Sequence, residues 1–230
     1  MVRNTTYVVG FSGLAQSGKD TTVQNLIDMQ FIYPTAKIRR FSFADELKKM
    51  YAYFLYAKHR GDDEYLRSII NNSGYTSGLS DSEKRSVNQF FVDNTAMPPF
   101  ERTNEEHKKQ HRRQLIDLGM LMRTIKADYW VNIVKEEIDR SLVDFACISD
   151  VRFENELCVC DSLVRIHRDS IEPIYIDGKI PESEVLALDN DIYDYYIDNS
   201  GSLLALKEET TKLYWHMLRS HPEFANRMHN

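Results

Sequence analysis

Two glycines and a lysine, at positions 13, 18 and 19, constrain this chain more than any other feature. The run Gly13-Leu14-Ala15-Gln16-Ser17-Gly18-Lys19-Asp20-Thr21 fits the G-x-x-x-x-G-K pattern of a phosphate-binding loop, or P-loop. It follows a β-branched and aromatic run, Thr6 to Phe11, that reads as a buried strand. It precedes a segment, Lys19 to Met29, with Val23, Leu26 and Ile27 at helical spacing. Between a strand and a helix, the glycines let successive N–H groups turn inward on an anion, and the helix start adds its positive end. Lys19 is expected to reach the β- and γ-phosphates of a nucleoside triphosphate. Asp20 stands where Ser or Thr usually meets magnesium, and a carboxylate can hold that metal directly or through water. Thr21 and Thr22 add hydroxyls, Thr21 toward the α-phosphate.

Further along, Ile38 to Phe43, Asp144 to Ser149, Ser162 to His167 and Ile192 to Ile197 read as strands. Helical patterns cover Phe43 to Tyr56, Glu105 to Thr124, Tyr129 to Leu142, about Phe153 to Asp161, and Leu203 to Leu218. Strands alternating with helices predict a parallel sheet covered on both faces, with ligands at the carboxyl ends of its strands. The polar, turn-rich stretch 58–104 holds one predicted helix, Ser82 to Val92, and reads as an insertion within one domain spanning 1–230. A second irregular stretch, 168–191, reads as a lid.

Asp150 ends the apolar strand and is followed by Arg152. A carboxylate there suits magnesium or its waters, and the guanidinium suits a second phosphate. The same residues also fit a plainer role, with Asp150 capping a helix near Phe153 and Arg152 pairing with Glu154 or Glu156. Arg165 and Arg168 flank the lid-like stretch, where an arginine could stabilise charge on a moving phosphoryl group or simply face solvent.

Lys and Arg total 29 against 35 Asp and Glu, a formal charge of -6, which argues against broad capture of nucleic acid. No apolar run is long enough to span a membrane, and the start lacks the pattern of a signal peptide. The three cysteines, with Cys158 and Cys160 one residue apart, have poor zinc spacing and read as reduced thiols. A cytoplasmic protein is expected (the host cytoplasm, were the source viral).

Four segments together resemble a family. They are GLAQSGKDT at Gly13 to Thr21, SFADELK at Ser42 to Lys48, RRQLIDLG at Arg112 to Gly119 followed by DYW at Asp128 to Trp130, and SDVRFENE at Ser149 to Glu156. With YYIDNSGSL at Tyr195 to Leu203, they are similar to the bacteriophage deoxynucleoside monophosphate kinases, P-loop kinases related to phosphomevalonate kinase. The resemblance implies an α/β, three-layer P-loop kinase fold: a parallel sheet flanked by helices, with a helical insertion. It implies phosphoryl transfer from ATP, with Mg2+, to a deoxynucleoside 5′-monophosphate. Ala15 to Thr21 would hold the ATP phosphates, and Asn199 would lie near the adenine. Phe43, Ala44, Arg113, Gly119, Trp130, Asp150, Arg152 and Glu156 would line the monophosphate pocket, with Arg168 acting from the lid. Asp20 and Asp150 would serve the metal. Partners are then small-molecule nucleotides, with no nucleic acid or membrane; a homodimer through 58–104 stays open. Alternatives are a kinase for a phosphomevalonate-like or dephospho-coenzyme A-like acceptor, or a nucleotide-gated switch protein.

Overall fold

The computed structural model describes residues 6–33, 36–94, 96–173, 175, 178–180 and 191–225. In chain order the elements begin with β1 (Tyr7–Ser12), α1 (Lys19–Ile32), β2 (Ile38–Phe41) and α2 (Phe43–Arg60). Next come α3 (Asp63–Asn72), α4 (Asp81–Asp93), α5 (Glu105–Gln110), α6 (Arg112–Ile125) and α7 (Tyr129–Arg140). The chain then runs through β3 (Phe145–Ile148), a 3-10 stretch (Glu154–Val159), β4 (Ser162–His167), β5 (Tyr195–Asp198), α8 (Leu203–Ser220) and α9 (Pro222–Ala225). It divides into two compact units, one formed by Met1–Phe43 with Val131–Asn230, the other by Ala44–Trp130.

The first unit is an α/β layered fold around a five-stranded sheet in the order β2-β3-β1-β4-β5. Every pairing is parallel. A parallel sheet must hide both faces, so its strands are nearly continuous in apolar residues. Accordingly Phe145 to Ile148 are all buried. On one face Val9, Phe11, Val164, Ile166 and Ile197 join Val23 and Leu26 of α1 and Leu206, Leu213 and Tyr214 of α8 in one core. On the other, Gly10 of β1 lies so close to Cys160, Leu163 and Val151 that a Cβ there would stand 2.6 Å from the Cys160 sulfur. Aspartates satisfy the first N–H groups at the amino ends of strands: Asp161 accepts from Val8, Asp144 from Lys37 and Asp194 from Leu163, at 2.7–2.8 Å.

The second unit is helical. Its core gathers Leu66 and Ile70 of α3, Val87 and Phe91 of α4, and Leu118 and Met122 of α6. Tyr51 and Phe54 of α2 meet Phe91 with ring centroids 5.9 and 5.4 Å apart. The Asp62 side chain accepts from Tyr65 N–H to start α3, and Ser80 with Glu83 forms a reciprocal capping box on α4. Between α5 and α6, the buried His111 ring places Nδ1 2.8 Å from the Tyr51 hydroxyl.

Several boundaries differ from the sequence expectation. The predicted single helix 105–124 is two, broken at His111, whose φ of -96° and ψ of 8° leave the helical region. The stretch 58–104 holds α3 as well as the expected helix. The segment after Asp150 is 3-10 rather than α-helical, because the buried Glu156 carboxylate turns back to the N–H groups of Arg152 and Phe153. β2 ends at Phe41, two residues early, where Asp150 takes the next polar groups.

Candidate phosphate-binding site

The P-loop lies at the carboxyl end of β1, the middle strand of the sheet, and runs into α1. Its curl rests on left-handed backbone at Gly13 (φ 150°), Gln16 (φ 68°) and Gly18 (φ 102°). At Gly13 a Cβ would meet the Ile166 carbonyl oxygen at 2.3 Å, and at Gly18 it would meet Asn199 Nδ2 at 2.3 Å. The loop is thus pressed against β4 on one side and against Asn199 on the other. Both approaches require glycine. Asn199 is buried, donates its amide to the Ser17 carbonyl at 2.8 Å, and is itself fixed by its N–H on the His167 carbonyl at 2.7 Å.

Lys19 is also buried, and its Nζ donates to the carbonyls of Gly13 (2.6 Å) and Leu14 (2.7 Å). The ammonium therefore closes the loop on itself, a conformation in which its charge stays within the curl of the loop. The Ser17 hydroxyl is buried and has no hydrogen-bond partner among the described residues. An orphaned hydroxyl, a cradle in which Cβ atoms are excluded, and a buried ammonium together fit a polyphosphate.

A cleft of about 290 Å³ opens beside this loop, lined by Gln16, Gly18, Lys19, Asp20 and Thr21, and by Arg168 and Asn199. Arg168 follows β4, and the residues on either side of it are bonded. The His167 ring lies 2.9 Å from Asp169, Asp169 N–H donates to Ser200 Oγ, and Ser200 bonds Asp198. Bonds from the Ser200 hydroxyl and N–H hold the Asp198 carboxyl below the usual carboxylate range. Arg165 is elsewhere: it is buried, with its guanidinium over the rings of Tyr193 and Tyr196. Of the predicted lid 168–191, residues 174, 176–177 and 181–190 lie outside the described residues.

Asp150 accepts from Ser42 Oγ at 2.9 Å and from Phe43 N–H at 3.0 Å. It therefore ties the end of β3 to the start of α2. Glu156 serves the backbone of Arg152 and Phe153. In the second unit, Trp130 is buried and donates its indole N–H to the Gly119 carbonyl at 3.3 Å. Arg113 is exposed and pairs with Asp117 along α6, and Ala44 lies in the first turn of α2. The predicted pocket residues thus fall in both units, with Phe43, Asp150, Arg152 and Glu156 in the first.

One residue had no role in the sequence reading. Arg40, on β2, pairs with Asp20, its Nε and Nη2 at 3.1 and 3.0 Å from the same carboxylate oxygen. A cation thus already sits on the carboxylate that follows the P-loop lysine. The cleft offers carboxylate and hydroxyl oxygens, donors that suit a hard divalent ion such as magnesium. Among the described residues no group of three or more His, Cys, Asp and Glu comes together as a metal site. A cation held here would complete its shell with phosphate oxygens and water.

No helix among the described residues is long and apolar enough to cross a membrane. Neither a protein-family model nor a curated protein sequence matches the chain.

Proposed function

We propose that this chain is an ATP-dependent phosphotransferase that uses magnesium and acts on a deoxynucleoside 5′-monophosphate, giving the diphosphate and ADP. The observation that carries the reading is the convergence of Lys19, Asp20 and Arg168 on one cleft beside a glycine-cradled loop. Magnesium, when bound, would neutralise charge on the transferring phosphoryl group. Asp20 would hold it, with Asp150 the second candidate carboxylate. Lys19 would leave the Gly13 and Leu14 carbonyls for phosphate oxygens and follow the developing charge, and Arg168, which lines the same cleft, would add a second positive charge. A phosphate-monoester acceptor is already an oxyanion near neutral pH, so the reaction needs orientation more than a general base. The choice of acceptor rests on the resemblance carried by Asp150 to Glu156 and by Arg112 to Gly119. Work on the small-nucleotide pool in the cytoplasm belongs to the same proposal.

The test is ADP formation from magnesium-ATP with each deoxynucleoside monophosphate separately, beside a control without acceptor. Turnover that depends on one or more of them is expected. Slow ATP hydrolysis indifferent to every acceptor would overturn the kinase reading in favour of a nucleotide-gated switch. Turnover only with phosphomevalonate or dephospho-coenzyme A would keep the chemistry and replace the substrate.

A further inference from the structure

An aspartate directly after the P-loop lysine poses an electrostatic problem. It brings a negative charge to a loop whose backbone is arranged to attract anions. Ser or Thr at that position would not. Asp20 lies in the first turn of α1 with its side chain largely exposed and lining the phosphate cleft. Left alone, it would repel a triphosphate arriving without its metal. The chain answers with Arg40, whose Nε and Nη2 both point at Oδ1 of Asp20. Arg40 stands one residue before the end of β2, so the sheet rather than a flexible loop supplies the compensating charge.

We infer that Arg40 is a placeholder cation: it neutralises Asp20 in the metal-free protein and gives up that carboxylate when a divalent cation takes it. The inference rests on the magnesium-nucleotide reading above. Two nitrogens of one guanidinium cover a single oxygen, and a dication on the same carboxylate would stand within a few ångströms of it, where like charges repel even at the dielectric of water. Exchange is therefore favoured over sharing. With the Asp20 carboxylate largely exposed, the pair is weak enough to exchange readily. Arg40 is a positioning residue here, acting through Asp20. Its consequence is a thermodynamic coupling: it softens the penalty for binding nucleotide without metal and competes with the metal afterwards.

The quantity to measure is the ratio of the dissociation constants of the β,γ-imido analogue of ATP without and with Mn2+, read by calorimetry. In Arg40→Gln this ratio rises about two- to fivefold, the range that loss of an exposed ion pair allows. Arg40→Met gives the same rise. Arg39→Gln, which removes the neighbouring charge paired with Glu137, leaves the ratio unchanged. Asp20→Asn lowers the ratio, and adding Arg40→Gln to it then has no further effect. An unchanged or lower ratio in both Arg40 variants overturns the inference while leaving the P-loop reading intact. An equal rise in the Asp20→Asn background also overturns it, because the effect would then be a general field. Failure of the unaltered protein to bind the analogue in either condition overturns the nucleotide reading, and the placeholder role with it.

Discussion

The side-chain amide of Asn199 and the carbonyl of Ser17 are 182 residues apart in sequence and 2.8 Å apart in space. The last strand of the sheet thereby holds the P-loop in its curl. Replacing Asn199 by Ala leaves that buried carbonyl without its donor, a loss of about 1–3 kcal/mol. The melting temperature is expected to fall by several degrees, and ATP affinity to weaken about tenfold as the loop relaxes. Thermal unfolding and calorimetric titration check both. A variant with unchanged ATP affinity would show that the loop holds its shape without this tether.

Gly18→Ala strains the same place from the other side. At φ 102° a Cβ is disfavoured by the backbone alone, and here it would also stand 2.3 Å from Asn199 Nδ2. Nucleotide binding should be lost. Adding Asn199→Ala removes the collision but not the backbone strain, so recovery is expected to be partial. Full recovery would mean the backbone conformation is not needed for binding.

Lys19→Ala removes the ammonium from the loop. Turnover in the acceptor assay should drop by about a hundredfold or more, the usual scale for one electrostatic contact to the transition state. The fold should persist with a loss of about 1–3 kcal/mol, since the buried Gly13 carbonyl gives up a donor. Circular dichroism and steady-state rates separate the effects. Activity near that of the unaltered protein would remove Lys19 from the mechanism.

His111 makes stability depend on pH. Burial lowers its affinity for protons, and the charges of His107 and His59 add to this. Its Nε2 has no hydrogen-bond partner among the described residues. The unfolded chain, with histidine near pH 6.5, binds the proton more readily than the folded one. Stability is therefore full above about pH 6.5 and falls as the pH drops below it. Urea midpoints from pH 7.5 to 5.5 should show this decline, and His111→Gln should flatten it.

The three cysteines should differ sharply. Burial pushes the thiols of Cys147 and Cys160 up to about 12, whereas Cys158 is exposed. Native protein treated with a thiol reagent near pH 7.5 should take one label, on Cys158, and three after denaturation. Rapid labelling of Cys160 would contradict its packing against Gly10.

Much of the first unit was legible because its signals are local. A β-branched run, a glycine loop and an apolar helix stripe specify β1, the P-loop and α1, and the apolar runs at 145–148 and 162–167 announce buried parallel strands. The helical unit was harder to read. α3 is short and buries only Leu66 and Ile70, so it passed for part of the polar stretch around it. The break at His111 leaves no trace in the pattern, and the residue's hydrogen-bond partner, Tyr51, is sixty positions away. The site shows the same division. Lys19 and Gly18 could be placed by motif, whereas the bond of Asn199 to Ser17 and the pairing of Arg40 with Asp20 depend on the sheet order, which spacing alone does not report. Asp150 was noticed for its charge, but its partners Ser42 and Phe43 come from a different strand end.

The crossing from β2 to β3 through the helical unit also sets a timetable. The Thr6 hydroxyl at the start of β1 bonds the Val143 carbonyl, 137 residues later. At ribosomal speeds of about 5–20 residues per second, roughly 7 to 27 s pass before the chain that flanks β1 has been made. β4, on its other side, comes later still. An apolar strand whose two partners come so late in the chain is the kind of segment that aggregates or recruits a chaperone. The loop at 13–19 is thus made well before Ile166 and Asn199, the residues it is pressed against.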